Sequence, residues 1–304
     1  MKPTSAPFLL AIGMLVGGCD SDRLTQFSTF AAAGTQYVQN FHELTTQAGT
    51  ALIASDSATL IAARNMAGAS VVAAHAPEYS TNLQKEDQLI EENLATLQKL
   101  DAQATLLGSY FSAITQLTNG SAASQMTTSA DALLDPINKF NPQIEAAKVG
   151  GQPIKNYVQP SANLIVAHFE VKALDTQLQK ASPIIDQALT LQEAAVTAIA
   201  AEMKASLGAS LETRESTEVI DPYVGGGTLP ATWTANRQAF LQDDVAVTGL
   251  SSAQQAITEL HNDFQKLVEN KESTIDFSTL LSRVQQMSTY ISAVGSTTSS
   301  GAQK

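Results

Sequence analysis

The stretch that decides the fold is residues 161–207, SANLIVAHFEVKALDTQLQKASPIIDQALTLQEAAVTAIAAEMKASL. Leu164, Val171, Leu178 and Ile185 recur every seven residues, and Leu174, Ala181, Ala188 and Ala195 form a companion row. Two turns of α-helix bring the chain back to nearly the same face, so the two rows make one apolar stripe. Alanine at successive positions of one row lets a neighbouring helix approach closely, as packing in a bundle requires. A straight helix drifts by about 20° per heptad. Leu191, Ala198 and Met203 are therefore expected to take over the buried face, while Gln192 and Glu202 leave it. Pro183 lies inside the stripe and lacks a backbone donor. It predicts a kink, or a new helix capped by Ser182.

Similar stripes run outward from this seam in both directions. Phe27, Ala31, Gly34, Val38 and Phe41 follow steps of three and four, and Ala48 and Leu52 continue them. Leu83, Ile90, Leu94, Leu97 and Leu100 begin a second stripe that reaches Ile114. Others run from Ala130 to Ala147, from Ala253 to Leu267 and from Phe277 to Val294. Sustained alternation of the strand type is missing, apart from a few residues near Val219–Val224. The periodicity predicts an all-α fold, an elongated bundle of five to seven amphipathic helices over residues 19–294. Asp135-Pro136 reads as an N-cap with proline at the first helical position, and Asn141-Pro142 as a bend or restart. Residues 149–160 and 221–230 read as connecting loops, the first a possible subdivision of the bundle near 150–160. Residues 295–304, rich in Ser, Thr and Gly, read as a disordered tail.

The chain of 304 residues carries 29 Asp and Glu against 17 Lys and Arg, a formal net charge of −12. Phosphate backbones are bound by clustered Lys and Arg, which are missing here, so nucleic acid is not an expected partner. The same sign argues against electrostatic adhesion to anionic lipid. Charged residues make up only 15%, against about 25% in typical domains, so the solvent faces must be built from Gln, Asn, Ser and Thr. Hydrophobic residues at 44% still supply a globular core.

The chain begins MKPTSAPFLLAIGMLVGGCD over residues 1–20. Lys2, the apolar run Phe8–Val16 and the small pair Gly17-Gly18 are the three parts of a secretory signal, which we place at residues 1–18. The run is shorter than the about 20 apolar residues that span a bilayer. The segment Leu15-Val16-Gly17-Gly18-Cys19 resembles the lipobox of bacterial lipoproteins. A branched apolar residue stands three before the cysteine, and small residues fill the next two places. The resemblance implies diacylglyceryl transfer to the Cys19 thiol, cleavage between Gly18 and Cys19, and acylation of the new amino group by a chain such as palmitate. Cys19 is the only cysteine, so no disulfide forms within the chain. Each buried methylene contributes about 0.8 kcal/mol and a single chain binds marginally, so two or three chains are what hold a protein to a leaflet. Asp20 resembles the inner-membrane retention signal of enteric-type sorting, a rule not shared by all bacteria, and the choice between inner and outer membrane stays open.

The histidines are His42, His75, His168 and His261. None pairs with another at metal-ligand spacing, and none sits in a metalloprotease or nucleophile-elbow pattern. The carboxylates at Glu170 and Asp263 lie two residues after His168 and His261, on a different helix face. All four histidines are expected at the surface. Gly225-Gly226-Gly227-Thr228 lacks the lysine of a phosphate-binding loop and reads as a plain connection. Trp233 is expected to staple this loop to the next helix. Glu91-Glu92 and Asp243-Asp244 are adjacent pairs that read as solvated, and Asn119-Gly120-Ser121 reads as a turn. No catalytic, cofactor-binding or metal-ligating residue is assigned, and no cofactor is expected. The one site residue is Cys19, for lipid attachment. The charge-free, small-residue segment Asn65–Pro77 is too short to span a membrane, and its length predicts a buried core helix.

These readings order the functional classes. First is a non-enzymatic envelope lipoprotein, on the periplasmic or surface face, held to its membrane through acyl chains on Cys19. Its bundle would bind another protein or act as a spacer. Second is a membrane-active or exclusion-type lipoprotein using Asn65–Pro77 or the glycine loop. An enzyme ranks last, because no nucleophile–base or metal constellation is present.

Overall fold

The structure is a computed structural model that describes residues 18–119, 123–149, 151–158, 173–269 and 274–301. Among these the chain forms nine α-helices: α1 (Gly18–Ala67), α2 (Ala69–Ala74), α3 (Ala76–Thr118), α4 (Ala123–Ala146), α5 (Ala173–Arg214), α6 (Asp221–Val224), α7 (Trp233–Thr248), α8 (Ser251–Val268) and α9 (Phe277–Gly301). The all-α bundle expected from the periodicity is the fold observed. Helices α2 and α6 are one-turn pieces that periodicity does not resolve. With 50 residues, α1 is about 75 Å long at 1.5 Å per residue, which makes the molecule elongated.

Helix α5 is the axis of the bundle, packed against α1, α3, α4, α7 and α8. Its seam residues Leu178, Ala181, Ile185, Ala188 and Ala195 are buried. Leu164 and Val171 lie outside the described residues, as does the side chain of Leu174. From Ala188 to Ala200 nearly every side chain is buried, including Leu189, Val196 and Ile199 on other faces. A helix apolar all round is one surrounded by neighbours. Leu191, Ala198 and Met203 are buried as expected, but Gln192 is buried too, with no exposed surface.

Pro183 neither ends nor restarts α5, which runs unbroken across it. The carbonyl deprived of its donor by the proline is that of Gln179, and the Ser182 hydroxyl donates to it at 3.0 Å. Ser182 thus repairs the helix from inside instead of capping a new one. Helix α4 likewise continues through Pro136 and Pro142, so Asp135 is not an N-cap. Tertiary contacts override the local signal: Asn141 is buried, and its amide donates to Ile184 O and Gln187 Oε1 of α5 at 3.4 and 3.3 Å.

The loop expected at 149–160 is stitched into the core where it is described. Strands β1 (Lys148–Val149) and β2 (Gln152–Pro153) pair antiparallel around Gly151, whose φ of 76° suits a residue without a Cβ. A 3₁₀ turn, Ile154–Tyr157, follows. Val149 and Ile154 join the same hydrophobic cluster that runs from Phe27 to Val294. Two further expectations change. The alternation near Val219–Val224 is helical, a π-helical turn at Glu215–Ile220 leading into α6. The backbone of α9 continues to Gly301, past the Gly295 where a disordered tail was expected to begin. Val284, Met287, Ile291 and Val294 dock α9 on the core, and each added residue then gains a hydrogen bond without a new nucleation cost.

Helices α1 and α3 form an antiparallel hairpin held by close approach. A Cβ on Gly34 of α1 would lie 2.6 Å from the Phe111 ring of α3. Phe111 is itself fixed, buried and edge-on to Phe30 at 5.7 Å between centroids. Gly34→Ala is therefore expected to destabilise. Helix propensity returns about 1 kcal/mol, but overpacking a fixed aromatic costs roughly 1–3 kcal/mol. Chemical denaturation should show a net loss near 1 kcal/mol. A gain would mean that the two helices move apart freely.

Candidate functional site

Two features stand out against the packed body. The first is an arm, formed by the distal end of α1, then α2 and the proximal half of α3. No residue from 53 to 95 is buried. Contacts step down α1 as they step up α3, from Gly34 with Phe111, through Val38 with Gly108 and His42 with Asp101, to Gly49 with Leu94. Ala51 and Leu52 are the last buried residues of α1, and beyond them each described residue of the arm keeps a solvent-facing side. Asn65–Pro77, expected in the core, is the exposed tip of this arm: Met66 is 84% and Val71 46% exposed. The apolar composition was read correctly, but among the described residues no third helix covers it. Glu91 and Glu92 are exposed on the arm's shaft.

Cys19 lies in the first turn of α1, at the opposite end of that helix from the tip. Residues 1–17 of the expected signal are outside the described residues, as is the Cys19 side chain.

The second feature is a buried ion cluster between α5 and α8. His261 Nε2 lies 2.8 Å from Asp186 Oδ1 and its Nδ1 lies 3.3 Å from Glu193 Oε2. Gln265 Nε2 adds a bond to Asp186 Oδ1 at 3.0 Å. Asp186 and Glu193 are seven residues apart, two turns of α5, and so present on one face. Burial by itself would lower the imidazole's pKa. The hydrogen bonds and charges of Asp186 and Glu193 outweigh it and raise the pKa to about 9. Asp186 shifts the other way: burial would raise it, but its bonds to His261 and Gln265 hold it below the usual carboxylate value. At neutral pH the cluster is an imidazolium clamped between carboxylates, with no free ring nitrogen to act as a base. The carboxylates sit at opposite edges of the ring, so they do not converge on one point as metal ligands must. Among the described residues no group of His, Cys, Asp and Glu is arranged to hold a metal.

His261 thus corrects the surface expectation. The signal was present, because His261 stands four after Ile257 and three before Phe264, on the edge of the α8 stripe. His42 is exposed and bonds Asp101 at 2.9 Å, His75 is exposed at the arm tip, and His168 lies outside the described residues. Trp233 opens α7, donates to Val219 O at 2.9 Å and stacks on Tyr223 at 5.6 Å, pinning α7 back onto the preceding segment.

Two surface grooves accompany these features. One of about 570 Å³ lies where α7, α8 and α9 meet, with Arg283 donating to Gln255 Oε1 at 2.7 Å beside Tyr290. The other, about 350 Å³, lies at the root of the arm between Ile53, Leu94 and His42. Neither is lined by His261, Asp186 or Glu193. The acid–base cluster therefore does not open into either groove, and its geometry serves to lock α8 onto α5. Comparison of the chain with protein-family models, with curated protein sequences and with solved structures finds no match.

Proposed function

We propose that this is a lipid-anchored protein of the bacterial cell envelope, whose helical bundle acts as a spacer presenting the arm at a distance from the anchored end. The observation that carries the reading is the position of Cys19. The residue whose surroundings resemble a lipobox occupies the first turn of α1, and the same helix ends at the arm tip, about 75 Å away along its axis. A continuous helix transmits distance rigidly, and the packed body around α5 stiffens its proximal part. Acyl chains on Cys19 would fix one end, and a partner would meet the other.

The test is chemical. Wild-type protein expressed in a bacterial host is expected to incorporate a fatty-acid probe and to be cleaved before Cys19. Cys19→Ser is expected to remain an unprocessed, unlabelled precursor. A serine variant that is still cleaved after Gly18 and still labelled would overturn the anchor.

A further inference from the structure

The groove where α7, α8 and α9 meet collects hydrogen-bond donors that the protein itself does not use. Arg283, Gln286 and Tyr290 stand at steps of three and four on one face of α9, and Ser252 and Gln255 meet them from the start of α8. Arg283 is held by neutral groups: its Nη1 donates to Gln255 Oε1 at 2.7 Å and to Gln286 Oε1 at 3.4 Å. Among the described residues no carboxylate pairs with it, and its Nε and Nη2 have no protein acceptor. A guanidinium carries its donors in a planar fork, so the edge left over suits a bidentate oxyanion.

Two hydroxyls add to this edge. The Tyr290 ring packs against Gly249, where there is no room for a Cβ, and its hydroxyl bonds no described residue. Ser252 is only 5% exposed, and its hydroxyl is buried without a hydrogen-bond partner. Native proteins keep few such groups, because a buried donor without an acceptor is costly. The hydroxyl turns about a single torsion, which brings its proton to an acceptor seated on the groove floor.

The charges and the length of the groove select among oxyanions. Ser251 and Ser252 open α8, whose dipole places partial positive charge at that end and adds to Arg283. Asp244 of α7 lines the same groove and repels a dianion such as phosphate more than a single carboxylate. Arg283 and Tyr290, seven residues apart, are separated by about 10 Å along α9, the reach of roughly three residues of extended chain.

We propose that this groove binds the free C-terminus of a short peptide. The terminal carboxylate sits on Arg283, and peptide carbonyls accept from the Tyr290 and Ser252 hydroxyls. Asp244 takes peptide N–H groups, since a carboxylate has several lone-pair sites. The groove's volume of about 570 Å³ lies within the range of small-ligand sites. The inference depends neither on acylation of Cys19 nor on the arm.

The test is calorimetric titration of the full chain carrying Cys19→Ser with millimolar N-acetyl-trialanine, its C-terminal amide, acetate and inorganic phosphate. The peptide acid is expected to bind, and the amide about tenfold more weakly, because the charge-assisted pair with Arg283 is lost. Acetate and phosphate are also expected to bind more weakly than the peptide acid. Arg283→Gln, on a half-exposed side chain, should cost the acid the same factor of about ten while the helical spectrum is unchanged. Tyr290→Phe and Ser252→Ala should each weaken binding roughly threefold, the loss of one neutral hydrogen bond. Absence of binding by the peptide acid would overturn the proposal, as would equal binding of acid and amide or affinity that survives Arg283→Gln. Acetate or phosphate binding as tightly as the peptide would also overturn it, marking a site for oxyanions in general.

Discussion

Replacing His261 with Ala is expected to lower the free energy of unfolding by about 3 kcal/mol near neutral pH, because it strands partly buried carboxylates without their cation. The size of the effect should depend on pH in a defined sense. His261 titrates at about 9 in the folded protein and near 6.5 when unfolded. A folded value above the unfolded one means that the stabilisation is fully present below about pH 6.5 and is lost as pH rises through about 9. A shift of that size corresponds to roughly 3 kcal/mol, in agreement with the first figure. Asp186, whose folded value is lowered, adds stability above its unfolded pKa and loses it in acid. Tyr37, which burial holds well above its ordinary value of 10, does not titrate in this window. Urea denaturation at several pH values, on wild type and His261→Gln, isolates the contribution of the imidazolium. The wild type should lose stability between about pH 7 and 10 relative to the glutamine variant, which keeps one donor and no charge. Parallel profiles would show that the imidazolium contributes nothing to folding.

Gln103→Ala should be comparably damaging, for a reason that involves no charge. Gln103 is fully buried at the meeting of α3, α4 and α5. Its amide donates to Asn141 Oδ1 at 2.8 Å and its carbonyl accepts from Gln192 Nε2 at 2.9 Å. The chain of bonds extends from Gln192 to the Tyr37 hydroxyl of α1, which donates to Gln192 Oε1 at 3.3 Å. Removing the central amide leaves a buried donor and a buried acceptor unpaired, at about 1–3 kcal/mol each, together with a cavity. A total near 3 kcal/mol is expected in denaturant melts. The double variant Gln103→Ala, Gln192→Leu should cost less than the sum of the two single changes, because the partner that Gln103→Ala strands is then apolar. Strict additivity would mean that the two amides do not depend on each other.

Local periodicity carries far in this chain because most of its helices are long and amphipathic. The rows of α5, the stripe of α8 and the aromatic face of α1 each declare which side is buried, since a period of 3.6 leaves few alternatives. The prolines mislead for the opposite reason. Pro136, Pro142 and Pro183 speak only for the loss of a donor, whereas the Ser182 hydroxyl replaces one within its own turn and the Asn141 amide ties α4 to α5 through contacts with no local signature. Gln192 and Gln103 look like surface residues until three helices bring their amides together in one dry space.

The sequence alone determined that the protein is helical, that α5 carries a close-packed seam and that the chain is acidic. Those properties follow from residue type and spacing within one helix. Tertiary structure alone decided that His261 meets Asp186 and Glu193, which requires knowing which faces of α5 and α8 abut. It also decided that Asn65–Pro77 is a tip and not a core helix. Composition states that a segment is apolar, but burial depends on whether another element arrives to cover it, and among the described residues none covers this tip.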